Sequence, residues 1–264
     1  MKLYFSRFGM VLGLLLSLGS AGCLTMSTPD PFAGRSGEFC SRVKTIAMMP
    51  AAPVSGLTHG AAISARYEDL VKEQLTQAGF EVVASDKYKE ILDQAKSEVG
   101  ALFDPLTGQP NKENIQRANS NALERFSKKY PTDAKAYMGV VNIKANWRQN
   151  EAEWDGVMEP SSGEAGWRGC MTAGNRYGTI GALSFSILLL DPTDQPYYSN
   201  RGGIQLLSHV NESNFVDVPV KDLFVNPSND VQAVTIALKP LLRSVEAAKA
   251  DPLAAGIAAP SPAP

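Results

Sequence analysis

Apolar residues recur with two periods in the first half of the chain, one typical of strands and one typical of helices. Residues 43–49 form a short apolar run ended by Pro50, which predicts a buried strand. Residues 61–78 carry apolar side chains every three or four positions, which predicts a helix that ends at Gly79. The same reasoning predicts, in order, a strand at 80–84, a helix with Ser85 as its N-cap, and a helix at 114–130.

Longer strand patterns follow in the second half of the chain. Residues 136–147 and 182–190 have the apolar or alternating character of long strands, and residues 191–196 predict a proline-containing turn. The remaining predicted elements are strand segments at 197–198 and 203–207 and a final helix that begins at Pro227 and kinks at Pro240. The order β-α-β-α-α-β-β-β-α predicts an α/β (α+β) fold, in which helices pack on a single mixed β-sheet.

Composition and charge narrow the class of protein. The chain has 264 residues, of which 44% are hydrophobic and 20% are charged, so it is neither a disordered chain nor a polytopic membrane protein. Its formal net charge is −2 and its pI is about 5.8. It therefore lacks the basic surplus that neutralises phosphates, and we expect it not to bind nucleic acid.

The N-terminus has the pattern of an export signal. Two basic residues precede an apolar run at residues 10–18, which is too short to span a bilayer as a helix. Ala21 and Gly22 then precede Cys23, and this arrangement resembles the lipobox of bacterial lipoprotein precursors. The resemblance implies that residues 1–22 are removed and that Cys23 is lipidated. The alternative is an ordinary secretory signal, which would leave Cys23 as a plain thiol.

The lipoprotein resemblance also implies a location. Leu24 follows Cys23, whereas Asp at that position marks inner-membrane retention in lipoproteins of enteric bacteria. We therefore expect a lipid anchor in the outer membrane and a body that faces the periplasm. Composition predicts the domain boundaries: a flexible tether at 23–39, a globular domain at 40–249 and a disordered Ala/Pro tail at 250–264.

The remaining cysteines allow a disulfide. If Cys23 carries lipid, Cys40 and Cys170 remain as a pair in an oxidising compartment, and we expect them to be bridged. The alternatives are two separate thiols, or a reactive Cys170 next to a base such as His209. No group that would orient such a base is recognisable in the sequence.

Candidate catalytic and metal-binding chemistry is sparse. The chain has two histidines, His59 and His209, and it contains no HExxH, CxxC, P-loop or GxSxG motif. Asp191 and Asp194 lie in a short segment that contains Pro192 and Pro196, where a plain turn is favoured over a calcium loop. We therefore predict a protein without enzymatic activity, metal or cofactor.

The connection between the two long predicted strands is the one unusual segment. It spans residues 148–181, far more than a hairpin needs, and it combines Trp, Tyr and Arg with many Gly and Ser residues. Such residue types dominate binding hot spots, whereas the alternative is that the tryptophans pack over the end of the sheet. The candidate partner-binding residues are Trp154, Trp167, Arg168, Arg176 and Tyr177.

The order of elements resembles that of a known lipoprotein group. The matching pieces are a first strand at 44–50, a helix and strand boundary at 77–83, a helix that opens at Ser85, and a hairpin at 188–195. They resemble lipoproteins related to the curli-secretion channel protein and to outer-membrane activators of peptidoglycan synthases, which share a fold similar to the N-terminal domain of TolB.

The resemblance implies a non-catalytic role through protein binding or self-association. We expect an assembly, accessory or regulatory factor for a surface or secretion apparatus. The alternatives are a ring-forming subunit of an outer-membrane export pore, and a small-ligand receptor or enzyme.

Overall fold

The computed structural model describes residues 29–148, 150–162, 177–211 and 214–250. Its helices are α1 (Ser36–Arg42), α2 (Gly60–Gln77), α3 (Ser85–Glu98), α4 (Lys112–Lys129) and α5 (Pro227–Ala250), with a short 3-10 turn at Val220–Asp222. Its strands are β1 (Thr45–Met48), β2 (Glu81–Val83), β3 (Ala134–Arg148), β4 (Glu151–Trp154), β5 (Val157–Pro160), β6 (Tyr177–Leu190), β7 (Pro196–Leu206), β8 (Ser208–Asn211) and β9 (Asn214–Asp217). None of the described helices combines the length and apolar character needed to cross a bilayer.

Two long antiparallel strands, β3 and β6, form the centre of a seven-stranded sheet. Their register runs from Lys135 opposite Leu190 to Arg148 opposite Tyr177. On the other edge of β3, β1 pairs parallel with its first residues and β4 pairs antiparallel with its last residues. The sheet continues through β2 beyond β1, β5 beyond β4, and β7 beyond β6. The predicted α/β fold with one mixed sheet is therefore confirmed.

Three features were absent from the predicted order: α1, the β4–β5 hairpin, and the β8–β9 hairpin, which forms a separate two-stranded sheet. Each of these elements has only four to seven residues. Such segments are too short to display a helical or strand period clearly.

Helices cover both faces of the near half of the sheet, which we define as β1, β2, residues 134–140 of β3 and residues 185–190 of β6. On one face, the first core cluster joins Phe39 of α1, Tyr67 of α2 and Leu238 of α5 to Phe185 of β6. On the other face, α3 and α4 pack through apolar side chains that include Phe126. The strands alternate between the two clusters, as two-sided burial requires.

The helix boundaries confirm the predicted end of α2 at Gly79 and correct the predicted N-cap of α3. Gly79 ends α2 in the left-handed region at φ 94°, where glycine carries no steric penalty. Ser85 is the first residue of α3 rather than its N-cap, and the cap position belongs to Ala84. The Ser85 hydroxyl instead donates to the buried carboxylate of Glu68, which also accepts the Ala51 N–H at 2.8 Å.

The N-terminal boundary of the folded domain differs from the prediction. Part of the predicted tether 23–39 packs on the core, since Phe32 is 3% exposed and Phe39 is fully buried. Arg35 donates to Asp191 at 2.8 Å and lies 4.3 Å from the centre of the Tyr197 ring. Two phenylalanines and one arginine therefore provide enough contacts to order a segment that is otherwise rich in Pro, Gly and Ser.

The helix α5 is held against α2 by a buried polar contact. Asp230 is fully buried and accepts the Tyr67 hydroxyl at 2.5 Å, and Arg66 pairs with its second oxygen. Burial raises the pKa of Asp230, against the opposing effects of Tyr67 and Arg66. The predicted last helix is confirmed and continues through Pro240, while the predicted tail beyond Ala250 lies outside the described residues.

Candidate functional site

The distal half of the central strand pair differs from the near half in having one exposed face. We define the distal half as residues 141–148 of β3 and 177–184 of β6. Side chains alternate along a strand, so Ala145 and Trp147 point away from the face on which Ala136 joins the first core cluster. They form a second core cluster with Ile180 and neighbouring residues. The exposed side chains on the opposite face are Asn142, Lys144, Asn146, Arg148, Tyr177 and Thr179.

The β4–β5 hairpin covers the second core cluster. Its two-residue turn consists of Asp155 at φ 35° and Gly156 at φ 79°, which is the type I′ geometry favoured in tight hairpins. The turn reaches the outer edge of β7, where the Gly203 N–H donates to the Asp155 carbonyl at 3.0 Å. The Asp155 carboxylate accepts the Ser184 hydroxyl at 2.7 Å and lies 3.3 Å from the Arg201 guanidinium.

Trp154 anchors the hairpin to the sheet. Its indole N–H donates to the Leu183 carbonyl at 3.2 Å, at the position where a register shift interrupts the pairing of β6 with β7. A bulge of this kind leaves a backbone group without its ladder partner, and the indole supplies the missing hydrogen bond. Trp154 is therefore part of the fold.

For Trp154, one of the candidate binding residues, the structure shows the alternative in which the tryptophan packs on the sheet. Trp154 is only 4% exposed, because it packs between the hairpin and the sheet. Tyr177 is 81% exposed at the end of β6, as a binding residue would be. Trp167, Arg168 and Arg176 lie outside the described residues, so their role stays a prediction.

Further apolar side chains are exposed at the same end of the molecule. Phe215 of β9 is 57% exposed and packs edge-on against Trp147, with ring centres 6.3 Å apart. Val216 beside it is 51% exposed. Trp147 lies opposite Gly178, which directly follows Tyr177. We call Tyr177, Phe215 and Val216 the distal apolar group; Tyr177 and Phe215 share this end of the sheet but lie on opposite faces of it.

A cleft of about 790 Å³ opens beside the distal half. It is lined by side chains of both charge signs, which include Lys144, Glu153, Asp155 and Arg201. Nearby on β5, burial raises the pKa of Glu159, against a hydrogen bond from the backbone of Leu206. The mixture of charges, amides and apolar walls is typical of a surface that contacts a peptide or protein.

Two features of this site escaped sequence reasoning. The Asp155-Gly156 pair is a strong hairpin signal, and it divides the long predicted connection into β4, β5 and a shorter remainder. Phe215 and Val216 gave no signal, because β9 is only four residues long and exposed throughout. The packing of Phe215 on Trp147 and the place of Val210 in the second core cluster relate this hairpin to the distal half.

Cys40 lies at the opposite end of the molecule. It is half-buried on α1 beside Phe80, Val245 and Lys249, and this burial raises the pKa of its thiol. Cys170 lies outside the described residues, so the predicted bridge stays a prediction.

A bridge between Cys40 and Cys170 in one molecule would have to span a distance longer than the connecting residues can reach. Cys40 is near the start of β1, level with the end of β6, whereas Tyr177 is at the other end of β6. Thirteen steps along a strand span about 43 Å, but the seven steps from Tyr177 back to Cys170 reach at most about 25 Å. This difference favours the alternative of separate thiols.

The remaining candidate ligands occupy ordinary positions. His59 is exposed before α2, and His209 is half-buried on β8. Asp191 accepts hydrogen bonds from the Thr193 and Gln195 backbones as well as from Arg35. Among the described residues, no three His, Cys, Asp or Glu side chains are grouped closely enough to hold a metal ion.

Comparison with known protein families and with curated proteins finds no match for this chain.

Proposed function

We propose that this chain is a non-catalytic cell-envelope lipoprotein that acts as an assembly, accessory or regulatory factor by binding another protein. The anchor is Cys23, and the support for it is the basic, apolar and small-residue pattern that precedes this cysteine. Several acyl chains would hold the protein on a membrane, since each buried methylene contributes about 0.8 kcal/mol. The resemblance to outer-membrane lipoproteins supports a body in the periplasm.

The distal apolar group is the observation that carries the binding role. Tyr177 and Phe215 are large, exposed and located on strands rather than on a mobile loop. An exposed aromatic side chain on a rigid element loses little conformational entropy when a partner covers it. The adjacent cleft adds polar and charged groups at its rim, which is the usual composition of a protein interface.

The short distance between anchor and body supports the same role. The described chain begins at Pro29, and the Pro31 carbonyl already accepts the Ser199 N–H at the edge of β7. Six steps from Cys23 to Pro29 span at most about 22 Å when fully extended. A lipid on Cys23 would therefore keep the body close to the membrane, where it meets other envelope proteins.

Membrane fractionation tests the anchor. Cys23→Ser should move the protein from the membrane fraction to the soluble fraction, because no acyl chain can be attached. Cys40→Ser is the matched control and should leave the protein in the membrane fraction. Retention of the Cys23→Ser protein at the level of the control would contradict the anchor.

Site-specific photo-cross-linking tests the binding surface. A photo-reactive amino acid at position 177 or 215 should give a discrete cross-linked product in cells, identified by mass spectrometry. Leu106, which is 94% exposed between α3 and α4, is the matched control and should give none. Equal products from all three positions would contradict the proposal, and a product made only of two copies of this chain would favour the ring-forming alternative.

A further inference from the structure

Among the described residues, one edge of β3 has no strand partner in the middle of the sheet. On that edge, β1 pairs with residues 134–136 and β4 pairs with residues 146–148. Within the described part of the chain, residues 137–145 pair with β6 alone, which occupies the other edge of β3 along its whole length. The sheet therefore contains a gap between the end of β1 and the end of β4.

The backbone groups that point into this gap can be identified from the register. The Ala136 carbonyl points to this edge, because it accepts the Met49 N–H at 2.9 Å. Backbone direction alternates along a strand, so the same edge receives the N–H and C=O groups of Met138, Val140, Asn142 and Lys144. Among the described residues, no backbone group hydrogen-bonds to these four on that edge.

The side chains around the gap leave room for another chain. Asn142 and Lys144 are exposed, and Val141 on the opposite face is 36% exposed. A Cβ atom added to Gly139 would have no neighbour within 4 Å, so the face above the gap is open there as well. On this face, the gap separates the core cluster under α3 and α4 from the one under the β4–β5 hairpin.

We propose that residues 138–144 of β3 bind an extended linear segment of a partner protein by strand addition. This inference rests on the proposed protein-binding function and specifies how a partner is held. Exposed N–H and C=O groups in a row are complementary to the backbone of another strand, and such pairing is a common mode of peptide recognition.

The geometry favours a linear segment over the edge of a second folded sheet. The nine residues of the gap span about 30 Å, and the ends of β1 and β4 flank it in the same row. A single segment of five to seven residues fits between these ends. A second sheet would have to pass both ends to reach β3, so self-association through this edge is disfavoured.

The surroundings also define the chemistry of the segment. Apolar side chains of the segment should face the same side as Val141, where the space above Gly139 can receive them. On the opposite side, exposed Lys144 favours a carboxylate on the segment. We therefore expect alternating apolar and polar residues with an acidic residue on the polar side.

The test uses a display library of random nonapeptides selected on the purified full chain. Enriched peptides should alternate apolar and polar residues. Asn142→Pro removes an N–H that points into the gap, whereas the N–H and C=O groups that point to β6 belong to the odd-numbered residues and are kept. It should weaken binding of the enriched peptides at least tenfold, measured by fluorescence anisotropy. Asn142→Ala keeps the N–H and is the matched control, with an expected change below twofold.

Amide hydrogen exchange provides a second measurement that needs no variant. In the free protein, the amides of Val140, Asn142 and Lys144 should exchange faster than those of Val141 and Ile143, and an enriched peptide should slow them. The proposal would be overturned by equal protection in the free protein, by no peptide enrichment, or by equal binding to Asn142→Pro. Cross-linking from positions 177 and 215 would still report the proposed function in those cases, so the two failures can be told apart.

Discussion

The near and distal halves of the β3–β6 pair differ in what covers them. In the near half, α1, α2 and α5 cover one face, and α3 and α4 cover the other. In the distal half, the β4–β5 hairpin covers one face, while Asn142, Lys144 and their neighbours leave the other exposed. The same pair of strands therefore serves as a two-sided core at one end and as a one-sided platform at the other. A rigid platform with exposed groups is a surface to which a partner can bind.

Two adjacent glycines of β7 show the same contrast at atomic scale. A Cβ on Gly202 would lie 2.0 Å from the carbonyl oxygen of Ala233 in α5. A Cβ on Gly203, which points to the other face, would lie 2.1 Å from a methyl group of Val157 and 2.6 Å from the Trp154 indole nitrogen. The first glycine allows the sheet to approach a helix backbone, and the second allows it to approach hairpin side chains.

The largest expected effect is the loss of the hairpin anchor. Trp154→Ala should lower the free energy of unfolding by about 3–5 kcal/mol, because it removes a buried indole and leaves a cavity. Urea denaturation followed by circular dichroism measures the change. Tyr177→Ala, at an 81% exposed position, is the matched control and should change stability by about 0.5 kcal/mol or less. A loss below about 1 kcal/mol for Trp154→Ala would show that the hairpin contributes little to the fold.

The glycine pair gives the next largest effect. Both Gly202→Ala and Gly203→Ala should be destabilising by about 1–3 kcal/mol through overpacking. Gly202→Ala should cost more, because helix backbone cannot move aside as easily as the methyl of Val157. Gly139→Ala has open space and serves as the control in the same strand system. The reverse order, measured by urea denaturation, would mean that the hairpin is held more rigidly than α5.

The stability of the protein at acid pH should depend on Asp191, which accepts a hydrogen bond from Arg35 near the N-terminus of the folded domain. Burial opposes its ionisation, but hydrogen bonds from Thr193, Arg35 and Gln195 outweigh burial and hold its pKa below the usual range. A carboxylate with a lowered folded-state pKa stabilises the fold above its unfolded pKa, about 3.9, and this contribution is lost as the pH falls through the folded value.

Thermal unfolding between pH 6 and pH 2 measures this contribution. The wild-type midpoint should fall more steeply over that window than the midpoint of Asp191→Asn, which cannot change charge there. Parallel curves for the two proteins would mean that the pairing of Asp191 with Arg35 does not contribute to acid stability.

The smallest expected effect concerns the thiols of Cys40 and Cys170, and it is measured without any change in the stability of the protein. Since the reach from Tyr177 to Cys170 is shorter than the distance back to α1, thiol labelling of the unreduced, denatured protein should modify both Cys40 and Cys170. Labelling after reduction gives the total number of thiols as a control. Complete protection of both cysteines from labelling in a monomer would support the bridge, and it would require a much shorter distance from Tyr177 to α1.

The predictable parts of the fold were those with long apolar periods. The helices α2, α4 and α5 and the strands β3 and β6 were all predicted, because each repeats its pattern over enough residues to distinguish a helix from a strand. The candidate site was predicted less well. Exposure of Tyr177 was consistent with a binding residue, but Trp154 could be assigned to either role from its residue type alone.

The amino-acid sequence by itself determined the fold class, because turn residues and apolar periods are local properties of the chain. It also determined the pattern at Cys23, on which the proposed anchor rests. Only the tertiary structure decided which face of β3 is covered at each end, that Phe32 belongs to the core, and where β3 has no partner among the residues that the structure describes. Those properties depend on contacts between residues far apart in the chain, and the register of a strand is set by its neighbours as well as by its own pattern.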